Sequence, residues 1–142
     1  MSRKPPRSDF SVARHTARTD RGGFLDIVLD FAFYGAIPLG FVVADPAANA
    51  VAGATLLFSF YVNGASFLAY AIMAERRGLE TQERGEKSLY FTSGLAEATE
   101  TILVFCVFCV FPSAFATIAY VFAAMTLITA AGRIALALRV FR

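Results

Sequence analysis

RGGFLDIVLDFAFYGAIPLGFVVA, residues 21–44, sets two aspartates, Asp26 and Asp30, at the front of a long apolar run with no further charge until Asp45. About 20 apolar residues suffice to cross a bilayer core, so this stretch predicts a transmembrane helix. Asp26 and Asp30 are four positions apart and fall on one helix face, stacked a turn apart. A helix that only had to enter a membrane has no need of two carboxylates on one face at its mouth.

The rest of the chain follows the same pattern. Of 142 residues 57% are hydrophobic, and the mean hydropathy is +0.59, too apolar for an ordinary soluble domain. Residues 46–74 and 101–132 contain no Asp, Glu, Lys or Arg. The predicted fold is all-α: a polytopic transmembrane helix bundle of four spans, at about 24–43, 48–74, 88–111 and 114–136. The second is longer than a bilayer requires, with room to tilt or extend into water. Residues 1–22 form a basic segment and 23–142 the transmembrane domain. No apolar stretch follows the early charges closely enough for a cleavable signal peptide.

The net charge of +2 says less than its distribution. Of 13 Lys and Arg, six lie in residues 1–21, four in residues 76–87, and the last three are Arg133, Arg139 and Arg142. The connections ADPAAN and FPSA have none. The positive-inside rule places both termini and the middle loop in the cytoplasm, and Asp26 and Asp30 at the cytoplasmic surface. The basic N-terminus lacks an aromatic platform or a soluble fold for nucleic acid. It suits anionic lipid headgroups.

Cys106 and Cys109 form CVFC within the third span, with no second pair and the single histidine, His15, far off in sequence. They read as helix-face filler rather than a redox or zinc pair. A chain so poor in Cys and His disfavours zinc, iron and haem, so any metal here is a hard one held by oxygen. Converging carboxylates repel each other unless a cation neutralises them, and Mg2+ or Mn2+ takes carboxylate oxygens while leaving positions for phosphate. Gly22 and Gly23 allow close approach of phosphate to a helix N-terminus. The competing reading makes Asp26 and Asp30 first-turn residues favoured by the helix dipole. For a pair on one face, after a double glycine and with Asp9 and Arg14 upstream, a site is the better account.

The sequence Asp9-Phe10-Ser11-Val12-Ala13-Arg14, seven residues, then Gly22-x-x-x-Asp26-x-x-x-Asp30 resembles the signature of the CDP-alcohol phosphatidyltransferases. That signature is Asp-x-x-Asp-Gly-x-x-Ala-Arg followed by Gly-x-x-x-Asp-x-x-x-Asp. Its second half is matched in full. SFYVNGASFLAYAIMAERRG and GEKSLYFTSGLAEATETI also resemble later helices of one bacterial branch, so the resemblance covers about residues 9–142. It implies a bacterial inner-membrane enzyme of phospholipid biosynthesis that moves a substituted phosphate from a CDP-linked lipid or alcohol to an acceptor alcohol, releasing CMP. It also implies a six-helix core, of which these spans match the last four, often assembled as a homodimer. Mg2+ or Mn2+ would be held by Asp9 and Asp26, with Asp30 as the base and near the metal. Arg14 and Gly22 would lie by the cytidine diphosphate, and Lys87 would meet acceptor or lipid phosphate.

The match departs from the signature at two positions. Pro6 stands where the first aspartate belongs, and Phe10 replaces a glycine that lets the nucleotide approach. The two helices that precede Gly22 in the family are absent from these 142 residues, whether through a misassigned start, a frame change or a short gene. The expectation is therefore an impaired transferase. The alternatives are a non-enzymatic degenerate relative or membrane subunit and, more weakly, a proton or ion carrier.

Glu97 and Glu100 share a helix face, and Arg133 lies on the last span. Counted from the cytoplasmic ends, Glu97 and Arg133 are both about 15 Å deep. Buried charges in membranes are usually paired, so an ion pair is expected, serving as structural glue or as a wall of the substrate cavity. Asn63, Gly64 and Ser66 read as small-residue packing and interhelical hydrogen bonding.

Overall fold

The computed structural model describes the backbone of residues 20–78 and 87–142 and the side chains of 20–78 and 98–142. These residues form four helices: α1 (Asp20–Ala44), α2 (Pro46–Arg76), α3 (Lys87–Val110) and α4 (Phe115–Val140). Among them there is no strand. The four expected spans are present, with α1 starting and α4 ending a few residues beyond the limits read from hydropathy.

Local chemistry sets the helix ends. α1 is described from Asp20, an acidic residue in the first described turn. Asp45 caps α2 by accepting from the amide of Ala48 at 3.1 Å, and Pro46 occupies a first-turn position that has no need of an amide hydrogen. The α1–α2 turn is then locked by Asn49, whose side-chain Nδ2 donates to the Phe41 carbonyl at 2.9 Å. At its far end α2 stops on Gly78, which has φ +63 and donates to the Glu75 carbonyl. Glycine adopts that conformation without the steric penalty other residues incur. Pro112 opens a single 3-10 turn, Pro112–Ala114, between α3 and α4.

By contacts the chain divides into a unit ending at Phe33 and another running from Tyr34 to Arg142. In the first, the described residues are the opening turns of α1, nearly all exposed: Phe24 is 67% exposed and Leu29 63%.

In the second unit the core is aromatic. Phe41 of α1 stacks on Phe115 of α4, with ring centroids 4.7 Å apart and planes within 6°. Phe108 of α3 meets Phe115 edge-on, also at 4.7 Å, and Phe105 joins through Phe108 and Tyr34. Such offset and edge-to-face arrangements add to the area they bury. α2 and α4 pack against each other, and their buried residues include small side chains, Ala52 and Ser59 on α2 and Ala119, Ala123 and Ala130 on α4. Small residues let backbones approach closely, which is how helices associate where lipid offers no hydrophobic drive. Gly53 also admits α1: a Cβ there would run into Cγ2 of Val42 and approach the Pro38 carbonyl. The buried hydroxyls of Ser59 and Thr126 bond back to carbonyls of their own helices, Leu56 at 2.7 Å and Phe122 at 2.9 Å. No described buried side-chain polar atom lacks a partner, as hydrocarbon surroundings demand.

Candidate functional site

α1 is continuous from Asp20 to Ala44, so Gly22, Asp26 and Asp30 recur every four residues along one face. Both carboxylates are exposed. Asp9 and Arg14, the other residues of the expected metal and nucleotide sites, lie outside the described residues. Lys87 is the first residue of α3, and its side chain lies outside them too. Among the described residues no group of three His, Cys, Asp or Glu converges as a metal-binding set. Asp26 and Asp30 therefore offer a pair of hard oxygen ligands on one helix, which suits Mg2+ or Mn2+ in donor chemistry.

The deeper polar residues are arranged in a way hydropathy did not foretell. Arg133 of α4 reaches across to α2, where Nη1 donates to Asn63 Oδ1 at 2.8 Å, to Ser66 Oγ at 3.0 Å and to the Asn63 carbonyl at 3.2 Å. Its guanidinium carbon also lies 5.6 Å from the Phe67 ring centroid. Asn63 and Ser66, read from sequence as packing and interhelical hydrogen-bonding residues, thus accept from Arg133 across the α2–α4 contact. The Glu97 side chain lies outside the described residues, and Glu100 is exposed on α3. The missed signal was that Asn63 and Ser66 are i, i+3 and share a face of α2. With Arg133 on a facing helix, two neutral acceptors one turn apart can both meet its Nη1.

A second arginine was not singled out by sequence. Arg77, just past the end of α2, donates through Nη2 to the Phe141 carbonyl at 2.7 Å and through Nη1 to the Val140 and Arg142 carbonyls. Its guanidinium carbon sits 5.3 Å from the Phe141 ring centroid. The last carbonyls of a helix have no partner within it, and a cation there also meets the negative end of the dipole. Cys106 and Cys109 are free and exposed.

These features define a class. Three described helices, α1, α2 and the one ending at Val140, are long and apolar enough to cross a membrane, and the described part of α3 adds a shorter apolar stretch. With large apolar side chains turned outward throughout, the chain is an integral membrane protein of all-helical fold. It is similar to the inner membrane protein YnjF of Escherichia coli strain K12. The two are 46% identical over 126 residues, which make up 89% of this chain and 61% of that protein. The chain thus spans less than two thirds of the length of the curated relative it matches. No family model matches the chain, and no solved structure matches it.

Proposed function

We propose that the chain is the membrane domain of a transferase of the CDP-alcohol phosphatidyltransferase type, set in the inner membrane with both termini in the cytoplasm. The register of α1 supports this best: Gly22, Asp26 and Asp30 occupy one face of an uninterrupted helix with both carboxylates exposed. That is the placement the signature's second half requires. Asp9 and Asp26 hold Mg2+ or Mn2+ with Asp30 close by. When bound, the cation neutralises phosphate charge and the carboxylate pair together. Arg14 and Gly22 contact the cytidine diphosphate, and Lys87 meets the acceptor or lipid phosphate. Asp30 takes the proton of the acceptor hydroxyl as its oxygen forms the new bond to phosphorus and the bond to CMP breaks.

The asymmetric distribution of Lys and Arg supports the orientation, and similarity to a protein named for the inner membrane supports the location. A second reading, a non-enzymatic relative or membrane subunit, draws on Pro6 and Phe10, which replace a metal ligand and a glycine of the signature. Turnover separates the two. We expect weak or absent CMP release from CDP-linked donors by the 142-residue chain. Strong Mn2+-dependent release is expected once two apolar helices and an intact Asp-x-x-Asp-Gly are joined upstream. Absence of release by the extended chain across several donors and acceptors would favour the non-enzymatic reading.

A further inference from the structure

We propose that the groove between the C-terminal halves of α2 and α4 seats an anionic phospholipid, one acyl chain lying along the groove and the phosphate at the basic helix ends. The groove is a cavity of about 220 Å3, walled by Ala69, Tyr70 and Met73 of α2 and by Ile134, Ala137 and Phe141 of α4. It exists because the two small residues, Ala69 and Ala137, leave space beside the helix crossing. Tyr70 and Phe141 meet there with ring centroids 5.1 Å apart. Arg133 lines the groove eight residues before Phe141, so its length is about 12 Å at a helix's rise per residue, the reach of the first part of an acyl chain.

Charge decides the occupant. Arg77 lies over the Phe141 ring at one end of the groove, and Arg76, Arg139 and Arg142 belong to the same two helix ends, where Glu75 is the one acidic side chain in residues 73–78 and 136–142. The helix dipole and the open carbonyls of α4 account for Arg77. Arg76, Arg139 and Arg142 are exposed and lie next to or within two residues of Arg77 or Phe141 in sequence, so the groove ends in a cluster of positive charge. A second copy of the chain packed on this face would bring the same arginines together and be repelled. A phospholipid with a net negative headgroup satisfies both features at once, apolar chain in the groove and phosphate among the guanidinium groups. This inference does not depend on the transferase reading.

Native mass spectrometry of the detergent-purified chain tests it, with dioleoylphosphatidylglycerol and dioleoylphosphatidylcholine offered at equal concentration. The anionic lipid should be retained in preference to the zwitterionic one. Arg139→Gln and Arg142→Gln, both at exposed positions, should each weaken that retention about fivefold and leave the zwitterionic lipid unaffected. Ala69→Phe, also at an exposed position, should fill the groove and remove the bound lipid. Equal retention of the two lipids overturns the proposal, as does retention of the anionic lipid by Ala69→Phe at the wild-type level. A lipid-free dimer overturns it as well. If Ala69→Phe fails to fold, the two arginine variants still decide, because indifference to both refutes the charge argument.

Discussion

Arg133 of α4 and Asn63 of α2 stand 70 positions apart in sequence and share a 2.8 Å hydrogen bond between guanidinium and side-chain amide oxygen. A guanidinium on a membrane helix is costly unless its donors are met, and Asn63 meets it with both its side chain and its backbone carbonyl. Asn63→Leu removes the side-chain acceptor and should lower stability in detergent by about 1–3 kcal/mol. Arg133→Met on that background should restore part of the loss. Strictly additive thermal-unfolding shifts in this cycle would mean that the pair contributes nothing as a pair.

Gly53 predicts a steric effect. A Cβ at this position meets Cγ2 of Val42, a β-branched side chain with one preferred rotamer in a helix. Gly53→Ala improves helix propensity by about 1 kcal/mol, yet overpacking should cost about 1–3 kcal/mol, so a net loss or no gain is expected. Val42→Ala added to Gly53→Ala should raise the melting temperature above that of Gly53→Ala alone. If the second change only lowers it further, α1 and α2 do not approach as described.

The carboxylate pair on α1 predicts a metal effect. Mn2+ should raise the melting temperature of the solubilised chain by mass action, because binding favours the folded state. Asp26→Asn should remove most of that rise. Equal shifts in wild type and variant would mean that Asp26 does not hold the cation, and the helix dipole would not explain the pair either, since α1 already runs from Asp20.

Topology follows from the basic residues. Reporters fused after Arg142 and inserted near Glu83 should both register the cytoplasm. A periplasmic signal at either position contradicts an even number of spans between them and the proposed placement of the carboxylates.

The local features of this protein were legible in its sequence. Charge-free runs marked the helices because membrane insertion depends on the summed hydropathy of a contiguous segment, a property of neighbouring residues alone. The one-face register of Gly22, Asp26 and Asp30 was equally legible, since helix geometry fixes it once the helix is granted. The turn at Asp45-Pro46 likewise carries its own capping chemistry.

What joins the helices was not legible. These spans are apolar on every side, so no amphipathic stripe indicates which face of α2 meets α4. The depth of an arginine on the last span could therefore be read from sequence, but no periodicity pointed to Asn63 and Ser66 as its acceptors. The stacking of Phe41 on Phe115, the clearance of Gly53 for Val42 and the capture of α4's last carbonyls by Arg77 are of the same kind. Each depends on the rotation of one helix about its axis relative to another. Composition and spacing determined a membrane bundle with a carboxylate pair at its entry. Only tertiary packing decided which polar side chains meet, because in a lipid-like interior small steric differences and a few hydrogen bonds fix that rotation.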